Sequence, residues 1–350
     1  MSRPALLAGY EKLAALLGKL PGSLQEPVLC ELDPIKEIFL RQRPPRVAVL
    51  GDPGIELPAL VNALAGRIVL HAPLLRGPWT GVRGAGAIEM ADLRGSGQLT
   101  GAPADVFLYV AGAQTGESEA RRAAEILSAA PAHEGGSPAG LAVLALGESA
   151  DVARVLNSLA TAGASSAVVF SAYLPRAGLE IGFPAQERAA LGDRLCDYLP
   201  EDAQLEMARF LAARGAQARL AGTVLKAFGA VAGVIGVQPI PLADFPVLLS
   251  LQLFMVSLII YVSGRDFSLR LAGEFAASLG LGFGAGLVFR EAARAAVKIL
   301  PVWGHMISGG VAGAGTYALG RAAIAYYIEG HRPARLPWRR RPSEALPPRA

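Results

Sequence analysis

Residues 47–64 combine a strand-like run, a Gly/Pro turn and the start of a helix with apolar periodicity. Val47–Leu50 is rich in β-branched residues, which is typical of a strand buried in a parallel sheet. Similar runs then alternate with Ala-rich helical stretches as far as about Ala172. The candidate strands are 47–50, 86–90, 106–110, 141–146 and 167–170, and the candidate helices are 57–65, 117–130 and 150–162. This alternation predicts βαβ units in an α/β doubly wound parallel sheet.

The turn after the first candidate strand has the layout of a phosphate-binding loop, G-x-x-x-x-G-K-[ST]. Gly51 takes the place of the first Gly, but Glu56, Leu57 and Pro58 replace the second Gly, the Lys and the Ser/Thr. Leu57 cannot neutralise phosphate charge, and Pro58 has neither a hydroxyl for Mg²⁺ nor a backbone N–H. Glu56 adds negative charge where phosphates would lie. The pattern therefore predicts a degenerate nucleotide site.

Further motifs follow the other candidate strands in the order that Era-like small GTPases have them. Residues 51–55 with 60–64 resemble the first motif of that family, Thr80 its switch threonine, Asp92-Leu93-Arg94-Gly95 its D-x-x-G, and Ser171-Ala172 its S-A motif. Ala145-Leu146-Gly147-Glu148 stands where the base-reading N-K-x-D is expected, with only the Glu148 carboxylate retained. The resemblance covers residues 45–195 and implies a G-domain-like P-loop NTPase fold. Its implied nucleotide-site positions are Gly51, Asp52, Pro53, Gly54, Leu57, Pro58, Thr80, Asp92, Gly95, Glu148, Ser171 and Ala172.

The missing loop chemistry favours a pseudoenzyme, so no catalytic residue, metal ligand or cofactor is expected. A divergent but active GTPase is the alternative, and it would use GTP and Mg²⁺, with Asp92 for the metal and Thr80 as the switch. That reading needs a cation near the phosphates, and Arg94 is the best candidate among Arg46, Arg76, Arg83 and Arg94. Asp92 could instead be a solvated turn residue, and Thr80 could be structural.

The second half of the chain is strongly apolar. Phe245–Gly264 is an uncharged run of 20 residues, about the length needed for a helix to cross a bilayer. Ala227–Ala243 and Ile299–Gly320 are also uncharged apart from His305, and Gly229/Gly233 and Gly309/Gly313 have the four-residue spacing that permits close helix contact in lipid. We predict an all-α, hydrophobic, membrane-associated domain. The alternative is a compact soluble domain whose helices bury all faces.

Two motifs in this half, residues 237–244 and 315–322, resemble the hydrophobic domain of unknown function in YcjF-like bacterial membrane proteins. The resemblance implies a bacterial origin and the inner membrane. The tail at 331–350 carries six arginines and five prolines, which suits the cytoplasmic face of an anionic membrane. We therefore expect both the N-terminal domain and the tail to be cytoplasmic.

The predicted organisation is a helical segment at 1–44, a degenerate GTPase-like domain at 45–200, the hydrophobic helical domain at 205–330 and the basic tail. A binding, scaffold or regulatory role at the membrane is the leading prediction. A glycine-rich helical pore or structural oligomer is a further alternative. Expected partners are the membrane, an unidentified protein and a second copy of the chain. No aromatic platform or known module predicts nucleic-acid binding.

Overall fold

The computed structural model describes residues 2–18, 20–72, 79–95, 102–112, 115–130, 140–146, 152–164, 168–177, 180–237, 244–279 and 304–331. Its strands are β1 (Arg46–Gly51), β2 (Thr80–Arg83), β3 (Ala87–Asp92), β4 (Val106–Ala111), β5 (Gly140–Leu146), β6 (Val168–Leu174), β7 (Arg176–Ala177) and β8 (Glu180–Ile181). Its helices are α1 (Ser2–Leu17), α2 (Gly22–Glu31), α3 (Asp33–Leu40), α4 (Leu57–Ala65), α5 (Glu117–Ala129), α6 (Val152–Thr161), α7 (Ala185–Tyr198), α8 (Glu201–Phe210), α9 (Arg214–Val237), α10 (Asp244–Val262), α11 (Leu269–Ser278) and α12 (Gly304–Tyr327).

Six strands form one mixed sheet in the order β2-β3-β1-β4-β5-β6. All neighbours are parallel except β2, which pairs antiparallel with β3. The chain adds β3 on one side of β1 and then β4 on the other, so the strand order reverses at β1. In open α/β sheets, ligands bind beyond the carboxyl ends of the strands at this reversal. The fold therefore places Gly51, at the end of β1, where a ligand site is expected.

Alternating side chains of each central strand enter two separate apolar cores. Val47, Val49 and their equivalents face α4, α7 and α8, whereas Ala48 and Leu50 face α5 and α6. Because helices cover both faces, the strands are apolar throughout, as a buried parallel sheet requires. The architecture resembles a G-domain, and the predicted doubly wound α/β fold is confirmed at this level.

Helices α9, α10 and α12 form the centre of a second, helical layer, and α1–α3 pack onto it. Leu6, Leu13 and Leu17 of α1 belong to the same apolar cluster as the central helices. Residues 1–44, set apart in the sequence, thus share a core with the C-terminal domain. Helix α8 joins the two layers, because Leu205 faces the bundle while its neighbours Ala203 and Met207 face the sheet.

The predicted spanning run, 245–264, forms α10 at the centre of this bundle. Between Leu251 and Val262 most of its side chains are buried by protein, including Met255, Ile259 and Ile260 at 0% exposure. Such burial is typical both of a core helix in a soluble bundle and of a central helix in a membrane bundle, so the spanning of a bilayer by this run stays a prediction. Among the described residues, one helix is long and apolar enough to cross a membrane by length and composition, Arg214–Gly236 in α9, and α10 is a shorter apolar helix.

Glycines set the contact between α9 and α12. A Cβ at Gly313 would lie 3.2 Å from the carbonyl oxygen of Gly229 and 3.5 Å from the Cα of Gly233. The small-residue spacing therefore correctly predicts close helix contact in this region. Residues 238–243 and 280–303 lie outside the described residues. The first range contains Pro239 and Pro241, for which the sequence predicts a bend, and the second contains 289–300, for which it predicts an amphipathic helix.

Candidate functional site

The loop that follows β1 has the backbone path of a phosphate-binding loop but binds its neighbours instead. Gly51 has φ 99°, and a Cβ there would lie 2.0 Å from the carbonyl oxygen of Val110, so only glycine fits. The Asp52 N–H donates to the same Val110 oxygen at 2.8 Å. One Asp52 carboxylate oxygen, Oδ1, accepts the Gly54 N–H at 2.8 Å. Hydrogen bonds therefore hold the loop against β4 and link residues within the loop.

Few backbone donors of this loop remain for an anion. Pro53 and Pro58 have no N–H, and the N–H groups of Asp52, Gly54 and Ile55 have acceptors within the loop or β4. Helix α4 begins at Leu57 with no side-chain cap, and Leu57 itself is buried in the sheet core. Because an anion site at a helix N-terminus depends on several converging N–H groups, this one is depleted.

The guanidinium of Arg94 occupies the space between β3 and the loop. Its Nε and Nη2 donate to the two carboxylate oxygens of Asp92 at 2.8 and 2.9 Å. Its Nη1 donates to the carbonyl oxygens of Ile55 at 2.7 Å and Asp52 at 3.2 Å. The Arg94 and Asp92 side chains are each 5% exposed. We call this arrangement the Arg94 clasp.

The clasp changes the roles expected of both residues. Asp92 is not a solvated turn residue, since both carboxylate oxygens accept from Arg94 in a bidentate pair. Arg94 is not available to a phosphate either, so its selection as the best phosphate cation is wrong. No local pattern could have revealed this, because its carbonyl partners lie about 40 residues earlier in the chain. Gly95, which follows with φ 65°, supplies the turn that ends the motif.

Tyr109 is a buried polar residue near the loop that no sequence pattern singles out. It lies on β4 with its side chain 0% exposed, and its hydroxyl has no hydrogen-bond partner among the described residues. Burial raises the pKa of Tyr109, and the neighbouring Glu119 and Asp52 carboxylates raise it further. The phenol is therefore neutral and cannot contribute a charge to this site.

Thr80 lies at the start of β2, in the antiparallel ladder opposite Met90. Its backbone is therefore part of the sheet, and among the described contacts its side chain has no hydrogen-bond partner. This position differs from the free switch loop that the motif implies. The strand was not predicted, because Thr80–Arg83 is only four residues long and contains Gly81.

The base-pocket motifs fall inside strands rather than after them. β6 continues to Leu174, so Ser171 and Ala172 pair with Val143 and Leu144 within the ladder. They lie two to three residues, about 7–10 Å, before the end of β6. Their assignment to the strand end is corrected, because the alternating residues after Phe170 extend the edge strand. Ala145 and Leu146 are likewise buried in β5, and Glu148 lies outside the described residues.

These residues do not fit GTP with Mg²⁺. The positions of the Lys and the Ser/Thr hold Leu57 and Pro58, and the Asp92 carboxylate is bound to Arg94. Among the described residues, no group of three His, Cys, Asp or Glu side chains could hold a metal ion. The arrangement can hold the loop rigidly against β3, and it offers a phosphate neither a free cation nor a set of free N–H donors.

A scan against protein-family models found no match, and a search of curated proteins found none. Among solved structures, Toc33 from Arabidopsis thaliana in complex with Mg²⁺ and GMPPNP matches at 15% identity with a TM-score of 0.26, covering 47% of this chain and 83% of that one. A likeness this low leaves the chemistry of the site to the residues described above.

Proposed function

We propose that this chain is a membrane-associated binding or scaffold module whose G-domain-like sheet has lost nucleotide chemistry. The Arg94 clasp is the observation that carries the proposal. A nucleotide bound with Mg²⁺ at this loop would have to recruit Asp92 or displace the guanidinium, and either step breaks a buried ion pair.

The energy needed to break the Asp92–Arg94 ion pair argues against GTP binding at ordinary affinity. Removing one partner of a buried ion pair costs about 3–5 kcal/mol. A cost of about 3 kcal/mol weakens binding by roughly 150-fold. The loop has also lost the Lys and the hydroxyl that would offset this cost. A site that would otherwise bind GTP at micromolar concentration therefore requires roughly millimolar ligand or more.

Charge along the bundle supports the membrane part of the proposal. Lys226 on α9 and Arg321 on α12 are exposed and stand at one level, because a Cβ at Gly320 would lie 2.5 Å from Leu225. Beyond them, α9 has no charged residue to its end at Val237, and α12 has none back to its start apart from His305. These parts of α9 and α12 are called the charge-free end, although α10 begins beside them with Asp244. Tyr317, 51% exposed, lies one turn inside Arg321. Aromatic and basic residues in this order are typical of a membrane interface.

The length of this charge-free end favours entry into one leaflet. From Lys226 to Val237, α9 rises about 16 Å, whereas the hydrocarbon core of a bilayer is about 30 Å thick. A full crossing by α9 would carry Arg219 and Lys226 into lipid. We place the tip of the bundle in the inner membrane of a bacterium, with the sheet on the cytoplasmic side presenting its surface to a protein partner.

A GTP hydrolysis assay on the purified full chain tests the loss of nucleotide chemistry. The expected result is phosphate release no faster than in the buffer blank, with Mg²⁺ present, and no change in Asp92→Asn. Hydrolysis at an ordinary GTPase rate that Asp92→Asn abolishes would overturn this part and establish the active-enzyme alternative.

Flotation with anionic vesicles tests the membrane part. Leu249 on α10 is half-buried at the charge-free end, and Ala314 on α12 is exposed there. The variant Leu249→Lys/Ala314→Lys places two charges in the tip, each costing about 2.5–3.5 kcal/mol in lipid, so the chain should leave the vesicle fraction. Leu271→Lys is the matched control, since Leu271 is an exposed leucine on α11. Equal flotation of both variants would contradict insertion of the tip.

A further inference from the structure

A cleft of about 490 Å³ opens at the opposite end of the sheet from Gly51 and Asp92. Its walls come from the linker 42–44, the turn between β2 and β3, helix α8 and the residues that end and follow α10. Arg67, just after α4, completes the lining. The volume lies within the roughly 300–1,000 Å³ of typical ligand sites. The cleft therefore joins the sheet to the helical bundle and is large enough for a small molecule.

The floor of the cleft is an ionic network centred on Glu206. Glu206 accepts the Ala87 N–H at 2.5 Å through Oε2, and it accepts Arg209 Nη1 and the Tyr261 hydroxyl at 3.2 Å each through Oε1. The Arg209 guanidinium lies 3.6 Å from the centroid of the Tyr261 ring. Because this carboxylate is fully engaged, it does not repel an incoming anion as a free carboxylate would.

Arg43 is also committed to structure. It donates to both carboxylate oxygens of Asp105, at 2.6 and 2.9 Å, and to Asp202 at 2.9 Å. The hydrogen bond to Asp105 raises the pKa of Arg43 above its ordinary value, so its charge is permanent. The charge is nevertheless balanced by these two acids, and Arg43 serves as a fixed wall of the cleft.

Three other arginines in the lining have no acid to pair with. Arg67, Arg83 and Arg265 are exposed, and none of them forms an ion pair with any residue that the structure describes. The Arg265 guanidinium lies 5.0 Å from the Tyr327 ring centroid, which leaves its N–H edge open. Asp266 is the one acid of the lining, apart from Glu206, that opposes them. A cleft with this excess of positive charge concentrates anions.

Two lining residues that are 4% exposed carry polar atoms without a partner among the described residues. These atoms are Nε of Arg209 and Oε1 of Gln42. Buried donors and acceptors are rarely left unpaired, and a bound ligand or water is a common explanation. The pair leaves one donor and one acceptor buried from solvent beside the cleft.

We infer that this cleft is a binding site for a phosphate-bearing anion. Arginine forks match phosphate oxygens in bidentate geometry, and three arginines without an ion pair to a described residue line one cleft. A Cβ at Gly320 would lie 3.0 Å from Met255 Cε, so Met255 stands at the proposed lipid boundary. Tyr261 is six residues farther along α10, about 9 Å, which places the cleft just outside a headgroup layer. The phosphate can therefore belong to a soluble molecule or to a lipid headgroup.

The test uses the purified full chain with two probes. Inorganic pyrophosphate, titrated by calorimetry, represents the soluble source. Vesicles of phosphatidylglycerol, compared with phosphatidylcholine, represent the lipid source. The test variant is Arg83→Gln/Arg265→Gln. Arg121→Gln is the matched control, because Arg121 is an exposed arginine on α5, on the other face of the sheet.

Binding of either probe that is at least about tenfold weaker in the double variant and unchanged in Arg121→Gln supports the site and identifies the source. Failure of both probes to bind the wild type, or binding that the double variant leaves unchanged, overturns it. Thermal melting shows whether the double variant is folded. If it is not, Arg67→Gln replaces it and should weaken the same probe several-fold, whereas unchanged binding by Arg67→Gln rejects the site.

Discussion

At the carboxyl end of the strands, Arg94 is 5% exposed and donates to Asp92 and to two loop carbonyl oxygens. At the amino end, Arg83 and Arg265 are exposed and have no ion-pair partner among the described residues. The first end has the sequence layout of a ligand site and a closed structure. The second end has no recognised motif and an open cleft.

The comparison shows that burial and partners, rather than position in a motif, decide what an arginine does. A guanidinium with every donor engaged by protein groups stabilises the fold, and displacing it is costly. A guanidinium left in a solvent-filled cleft contributes little to stability and is available to an anion. Substitutions at the carboxyl end should therefore reduce stability, whereas substitutions at the amino end should reduce anion binding.

The largest expected effect is that of Asp92→Ala, which leaves the buried Arg94 charge without its acid. We expect the free energy of unfolding to fall by about 3–5 kcal/mol, measured by urea denaturation. The double variant Asp92→Leu/Arg94→Met removes both charges and should recover most of the loss. A cost below about 1 kcal/mol for the single change would show that the clasp does not hold the loop.

Gly86→Ala should have an intermediate effect at the other end of the sheet. A Cβ at Gly86 would lie 2.1 Å from the carbonyl oxygen of Glu206, so the turn must move away from α8. We expect a loss of about 1–3 kcal/mol in unfolding free energy. Gly81→Ala is the matched control, because nothing lies within 4 Å of its Cβ position. Equal stability of the two variants would contradict the close contact between the Gly86 turn and α8.

The buried Cys196 makes the stability of the sheet domain depend on pH. Burial raises the pKa of the Cys196 thiol, on α7 against the sheet, to about 12. The unfolded thiol ionises near pH 9, so above that pH the unfolded state binds fewer protons than the folded state and stability falls as pH rises toward 12. The loss at pH 10 is about 1 kcal/mol.

Comparing the pH dependence of unfolding in the wild type with Cys196→Ala isolates this contribution. Cys30→Ala is the control, because Cys30 is exposed on α2 and should leave the difference between pH 8 and pH 10 unchanged. A wild type and a Cys196→Ala variant with the same alkaline loss would show that the thiol is not buried in solution.

The smallest effect is expected for Arg83→Gln/Arg265→Gln. Both side chains are exposed, and surface substitutions of this kind usually change unfolding free energy by no more than about 0.5 kcal/mol. Urea denaturation of this double variant and of Asp92→Ala, measured side by side, compares the two ends of the sheet directly. A loss of unfolding free energy above about 2 kcal/mol would show that these arginines hold the sheet and the bundle together rather than serve a ligand site.

The sheet was predictable because its signals are local. Val47–Leu50 lies within β1, the predicted helix 57–65 coincides with α4, and the candidate strands 106–110 and 141–146 lie within β4 and β5. Strand β2 and helix α2 were missed. β2 is short and contains Gly81, while α2 contains Pro27, which ordinarily argues against a helix interior.

Part of the site was predictable from the sequence. Leu57 and Pro58 show directly that the Lys and the Ser/Thr of the phosphate-binding motif are replaced. The clasp was not predictable, because its contacts join Arg94 to Asp52 and Ile55 across the sheet edge. The burial of α10 could not be predicted either, since an apolar composition does not distinguish a helix in contact with lipid from one surrounded by other helices.

Calorimetric titration of the full chain with GTP and Mg²⁺, with GDP and ATP in parallel, tests the closed loop most directly. The same titration on Arg83→Gln/Arg265→Gln weakens any binding of nucleotide phosphates at the cleft between the sheet and the helical bundle. The clasp predicts no saturable binding below millimolar GTP in that variant. Micromolar GTP binding in the variant, lost on Asp92→Asn, would show that the loop opens to nucleotide and would contradict the account.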